Sequence, residues 1–251
     1  MLRKAVALAL AAPLLLSLAA PATAQDVEEV LAKHYEAIGG LDNWRSVESM
    51  RLGGKMVISA MGVEAPFAMV AKRPDKARVE FTIQGMTGIQ ATDGETAWMI
   101  MPFMGSTKAE RMPEEDAKIF RREADIDGPL VGWKESGYQV ELVGREEVEG
   151  TETFKVRVTY GDGAVRQYYL DAEYYLPVKI EDSREVQGST VTVEQSLGDY
   201  KEVDGLMMAH TIEVKTPAQP AASRVLTVDK VELNVAVEDS SFTMPEGDGT
   251  D

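Results

Sequence analysis

Cysteine is absent from the 251 residues. That excludes a disulfide framework, a thiolate metal site, a cysteine nucleophile and an N-terminal cysteine acylated after processing. Histidine occurs only as His34 and His210, which leaves few places for imidazole chemistry. Positive charge is scarce: 26 Lys and Arg stand against 42 Asp and Glu, a formal charge of -16. Such a surface argues against binding that tracks phosphates by charge, so nucleic acid is not an expected partner. The sequence contains no G-x-S-x-G, H-E-x-x-H or His-x-His motif, which leaves no recognisable nucleophile elbow or zinc pair. The acidic runs Glu114-Glu115-Asp116 and Glu146-Glu147 lack the spacing and turn glycine of a calcium loop, so no metal is expected. Aromatic residues, at 7%, are too sparse to suggest the stacking platforms of a sugar site. The chain is therefore read as non-enzymatic and without a cofactor.

What is present begins with a leader. Arg3 and Lys4 precede an apolar run to about Ala20, and Ala22-Thr23-Ala24 offers small residues for cleavage, so residues 1–24 read as a signal peptide cut after Ala24. No later apolar stretch approaches the roughly 18 residues that a spanning helix needs. The expected location is the periplasm. A single domain is expected over residues 25–245, with an acidic tail at 246–251.

The mature part opens with Val27, Val30, Leu31, Tyr35 and Ile38 at helical spacing, acids in the first turn and Gly39-Gly40 as a stop, which predicts a helix over 26–38. A short helical turn follows near Leu41 to Ser46, and then the period falls to 2. Met50, Leu52, Met56 and Ile58 oppose Arg51 and Lys55; Val79, Phe81 and Ile83 oppose Arg78, Glu80 and Thr82. The same alternation returns in Phe154 to Tyr160, Leu206 to Val214 and Val231 to Val237. Turn signals at Gly161-Asp162-Gly163, Asp171-Ala172-Glu173, Gln187-Gly188-Ser189 and Asp204-Gly205 separate these runs. About ten antiparallel strands are predicted, interrupted by one helix over Pro113 to Ala124, with acids first and Arg121-Arg122 last as the helix dipole favours.

So many strands with two helical elements predict a mainly β fold with a helical lid, an α+β arrangement in which a large curved antiparallel sheet forms an unclosed barrel covered by helices. If its interior is not filled by side chains, it is a ligand cavity. Nine of the 13 methionines fall between residues 50 and 112. Methionine suits variable apolar ligands but also fills gaps in an ordinary core, and clustering alone favours the core role.

The run from Ala68 to Phe81 containing Lys72-Arg73-Pro74, and the run from Ala91 to Phe103 containing Asp93-Gly94, Trp98 and Pro102-Phe103, resemble the periplasmic lipoprotein carriers of the LolA/LolB superfamily. Tyr200 with Val203-Asp204-Gly205 resembles that family's late hairpin, Ser241 to Pro245 its closing strand, and His34 to Met56 the opening of exported proteins grouped with it. The resemblance implies an unclosed barrel with a helical lid and a hydrophobic cavity that shelters lipoprotein acyl chains, acting as a chaperone in lipoprotein transport toward the outer membrane. It implies no catalytic residue. It implies handover partners in the inner and outer membranes, and a lid latch at Arg73. Parity adds that Arg73 would end the inward stripe of Phe67, Met69 and Ala71, where an arginine needs partners.

The cavity lining is expected from Leu52, Met56, Phe67, Met69, Val79, Phe81, Ile83 and Trp98, with Ile119 and Phe120 on the lid. Met101 is a further choice, although Trp98 and Met101 differ in parity. Extra strand content between Gly150 and Gly205 departs from a minimal carrier. A sensor or docking protein of the same fold, binding a lipoprotein or protein partner without transporting it, is the alternative.

Overall fold

The computed structural model describes residues 26–58, 62–186, 189–216 and 223–245. The leader, Met61, Gln187-Gly188 and the acidic tail lie outside these residues. Among these residues are five α-helices: α1 (Val27–Ala37), α2 (Leu41–Arg45), α3 (Glu114–Ala124), α4 (Gly128–Val131) and α5 (Trp133–Ser136). The strands of the first half are β1 (Ser49–Ile58), β2 (Val63–Lys72), β3 (Lys76–Ile83), β4 (Met86–Thr92), β5 (Ala97–Met101) and β6 (Ser106–Arg111). Those of the second half are β7 (Gln139–Val148), β8 (Thr151–Thr159), β9 (Val165–Asp171), β10 (Pro177–Val186), β11 (Ser189–Val203), β12 (Leu206–Lys215) and β13 (Arg224–Leu233).

All 13 strands belong to one antiparallel sheet, in the order β6-β5-β4-β3-β2-β1-β13-β12-β11-β10-β9-β8-β7. Two meanders are therefore joined at a seam where the first strand pairs with the last. Its edges, β6 and β7, do not pair with each other, so the sheet is not closed. They are consecutive in sequence, and the chain that connects them carries α3, α4 and α5. The lid is thus a product of topology: the only connection between the two free edges is helical.

At the seam, Gly53 faces Lys230 and Gly54 faces Val228, which leaves Asp229 unpaired as a bulge. A bulge bends a strand and increases its twist, as a curved sheet requires. Gly54 is needed there for a second reason. A Cβ at this position would sit 2.0 Å from the Thr227 carbonyl oxygen and 3.1 Å from the Phe67 ring.

The inner face of the second wing is filled. Val30 and Leu31 of α1 and Leu130 of α4 pack with Phe154, Val156 and Val158 of β8, Tyr168 and Leu170 of β9 and Ile180 of β10. His34 on α1 is 5% exposed and its Nδ1 lies 2.9 Å from the Tyr175 carbonyl oxygen, to which the Nδ1–H tautomer donates. Burial lowers the pKa of this imidazole.

Two expectations are corrected here. The strand predicted through Val237 ends at Leu233, because Asn234 adopts a left-handed φ of 53° that turns the chain out of the ladder after a last N–H donation to the Ser49 carbonyl at 2.7 Å. The segment expected as a closing strand at Ser241 to Pro245 is instead a strap that begins with a 3-10 turn at Asp239–Ser241. It lies on the outer face, where Phe242 is fully buried.

Candidate functional site

Cross-strand register builds the candidate site. Leu52 faces Met69, which faces Val79; Gly54 faces Phe67, which faces Phe81; Met56 faces Ala65. Side chains in register share a face, so seven of the expected lining residues, Leu52, Met56, Phe67, Met69, Val79, Phe81 and Ile83, lie on the inner face of the first wing. Five of these, Leu52, Met56, Phe67, Phe81 and Ile83, belong to one apolar cluster with Ala65 and Val228. Met69 joins a neighbouring cluster around Met50, Ala71 and Leu206, which Leu52 also touches. Met101 has the inward parity and is buried.

The cluster is only partly closed. Leu52, Ile58, Val63, Phe81, Phe103, Leu226 and Val231 are half-buried at its margin. Phe103, in the 3-10 turn after β5, folds back so that its ring lies 5.6 Å from that of Phe81. Gly88 makes this possible, since a Cβ there would be 2.8 Å from the Phe103 ring. Phe103 and the β13 residues Leu226, Val228 and Val231 were not expected in the lining. Their signal was the alternation of β13, read from the wrong starting point.

Trp98 is a correction. It faces Ala91 and Arg111, on the opposite face from Phe67 and Phe81. There its indole Nε1–H donates to the Phe242 carbonyl at 2.8 Å, and the Arg78 guanidinium lies 5.7 Å above its ring. It holds down the strap and lines no interior. On the lid, Phe120 packs with Met99, Ala97, Met112 and Ala117. Ile119 is half-buried outside the packed clusters.

α3 reaches both wings. Arg121 donates to the Glu95 carbonyl at 3.3 Å in the first wing. Lys118 and Arg122 pair with Asp162 in the β8–β9 turn, and Glu123 pairs with the buried Arg166 of β9. Arg166 is also held by Asp182 of β10, with Nε to Oδ1 at 2.6 Å. The segment after α3 is anchored as firmly. Trp44 Nε1–H donates to the Ile126 carbonyl at 3.2 Å, and the Tyr35 hydroxyl donates to the Leu130 carbonyl at 2.7 Å.

Arg73 is the central anchor. Its Nη1 and Nη2 donate to Asp127 Oδ2 and Oδ1 at 2.6 and 2.7 Å, and its Nε donates to the Val47 carbonyl at 2.7 Å. Both side chains are about one-fifth exposed. The hydrogen bonds that Arg73 donates to Asp127 raise the guanidinium pKa against the opposing effect of burial, so Arg73 stays charged. Asp127 lies between α3 and α4, and the ion pair ties the end of β2 to the lid. Sequence reading had no signal for this aspartate, which is one of 42 acidic residues.

Two surface clefts of about 360 and 370 Å³ lie elsewhere, one beside Leu31, Tyr35 and Trp133, the other beside Arg122, Tyr138 and Tyr160. Neither is lined by the inner-face residues of the first wing. Among the described residues, no group of three or more His, Asp or Glu side chains could hold a metal ion, and no helix is long and apolar enough to cross a membrane.

A protein family described as "Uncharacterized protein" matches residues 82–246, more than half of the sequence. The chain belongs to that family. No curated protein matches it. Three solved structures show the same architecture. A LolA superfamily protein from Nitrosomonas europaea aligns at 13% identity with a TM-score of 0.59, over 88% of this chain and 98% of that one. A DUF1329 family protein from Desulfovibrio piger gives 14% and 0.59, over 86% and 97%. A domain assigned to outer membrane lipoprotein sorting, from Vibrio parahaemolyticus, gives 14% and 0.58, over 85% and 94%. The fold is LolA-like, an unclosed antiparallel barrel with a helical covering.

Proposed function

We propose that this protein is a non-enzymatic periplasmic carrier that shelters acyl chains of lipoproteins or other lipids and takes part in outer-membrane lipoprotein sorting. The observation that carries the proposal is the half-buried apolar margin around Met56, Phe67 and Ile83, facing the concave side of the LolA-like sheet. Burying a methylene stabilises by about 0.8 kcal/mol, so an acyl chain of roughly 16 carbons gains on the order of 12 kcal/mol by leaving water. A carrier must offer an apolar wall of comparable reach, and the inner face of the first wing is where the chain has one. The second wing is filled by α1 and α4, so the ligand is confined to one half of the concavity.

In this reading the leader through Ala24 directs export, Arg73 and Asp127 hold the lid closed, and loading and receiving partners sit in the inner and outer membranes. Phe120 and Ile119 close over the ligand from α3. The filled second wing favours one second reading, a sensor or docking protein that binds a lipoprotein without carrying it.

Native mass spectrometry of the mature protein, taken gently from a periplasmic extract and followed by solvent extraction, separates the two. A co-purifying acylated peptide or lipid is expected. A protein that arrives empty and takes up no hydrophobic fluorescent probe sinks the carrier reading.

A further inference from the structure

One side chain on the inner face is out of keeping with its surroundings. Register traces a continuous transverse row across the sheet: Val156 faces Tyr168, which faces Ile180, then Gln195, Val214, Arg224, Ile58 and Val63. Arg224 is the sole charged member of this row. Its neighbours on the same face of β13 are Leu226 and Val228, both part of the apolar cluster with Met56 and Phe67.

Other arginines that face the interior are paired: Arg73 has Asp127, and Arg166 has Asp182 and Glu123. The Arg224 side chain makes no hydrogen bond or ion pair among the described residues. The residue is exposed to solvent, yet the atoms around it strip part of its hydration, which lowers its pKa; the charge that acts on it is Glu123 of α3. With no carboxylate bonded to it and Ile58, Leu226 and Val228 beside it on the same face, this exposed guanidinium is a cation open to an anion that arrives with an apolar tail.

We infer that Arg224 binds the carboxylate of a long-chain fatty acid whose alkyl tail lies along β1 and β13 over Leu226, Met56, Phe67 and Leu52. The inference rests on the lipid-carrier reading and names its ligand class. The planar guanidinium fork matches a carboxylate in two parallel hydrogen bonds. The charge of Glu123, which reaches the same guanidinium, penalises additional negative charge, so a monoanion is preferred to a dianionic phosphate. From Ile58, beside Arg224, to Leu52, the apolar inner face runs six residues along β1, or roughly 20 Å at strand rise. That exceeds the roughly 15 Å that the acyl chains of one leaflet occupy.

The test measures binding of hexadecanoate, hexadecan-1-ol and hexadecyl phosphate to the mature protein and to Arg224→Gln and Arg224→Lys variants. Wild type is expected to favour hexadecanoate over the alcohol by about tenfold, the gain of a charge-assisted hydrogen bond. Arg224→Gln is expected to lose that preference while binding the alcohol as before, and Arg224→Lys to keep part of it. Equal binding of acid and alcohol by wild type, an unchanged preference in Arg224→Gln, or tighter binding of hexadecyl phosphate than of hexadecanoate overturns the assignment and leaves the carrier reading standing. Binding of none of the three overturns both.

Discussion

A single ion pair decides how the covering is held. Arg73 closes β2 with five donor groups, and Asp127 accepts two of them in the fork geometry that makes such pairs strong. Removing Asp127 leaves the guanidinium partly desolvated, and removing Arg73 leaves the carboxylate so and takes a donor from the Val47 and Trp44 carbonyls. Arg73→Leu is therefore expected to fold, to lose about 1–3 kcal/mol and to release a bound hydrophobic probe several-fold faster. Asp127→Ala should act in the same direction, and the double variant should cost much less than the sum of the two. Denaturant titration and stopped-flow release give the comparison. Loading and unloading at wild-type rates in Arg73→Leu would remove it from the mechanism.

Among the elements, α1 docks with a buried imidazole. His34 is buried with its Nδ1 on the Tyr175 carbonyl, and burial holds the folded imidazole pKa below its ordinary value of about 6.5. A base with a depressed folded pKa favours the unfolded chain once protons bind there. Its stabilising contribution is complete above about pH 6.5 and is lost as pH falls toward the folded pKa, by up to about 1.4 kcal/mol per pH unit. Thermal unfolding of wild type between pH 7.5 and 5 is expected to show this loss, and His34→Gln, lower in stability throughout, should flatten it. Identical pH slopes in the two proteins would relieve His34 of the role.

The elements also show what a sequence can reveal about such a fold. α1, α3 and the hairpin at Asp204-Gly205 were legible because each buries one face and exposes the other, so period and burial agree. β6, with Ser106, Lys108, Glu110 and Arg111, has no apolar alternation because it is an edge strand guarded by charge, and it left no trace in the pattern. It is one of the strands by which the 13 found exceed the about ten expected. Trp98 misled for the opposite reason. β5 is covered on both faces, by α3 inside and the strap outside, so Ala97 and Trp98 are both buried and hydrophobicity alone does not tell the lumen from the outer face. Arg73 stood out by its motif and by the stripe it ends, but its partner Asp127 lies 54 positions on and had no local signature.

At the scale of the molecule, an open sheet 13 strands wide has two free edges and one concave face, and a single connection must manage all three. α3 does so by holding Glu95 on one wing and Asp162 and Arg166 on the other. A ligand that reaches Met56 and Phe67 has to pass this span or force the wings apart. If α3 is the gate, fixing it to the second wing should stop loading without touching the apolar wall. The absence of native cysteine makes the experiment clean: Lys118→Cys with Asp162→Cys supplies the only thiols in the chain. Joined by a short thiol-reactive linker, this variant is expected to take up a hydrophobic probe at least about tenfold more slowly than the unlinked variant. A linker cleavable by reduction should restore the rate. Equal uptake by linked and unlinked protein would mean that the ligand enters elsewhere, with the half-buried margin beside Phe103 and Val63 as the remaining way in.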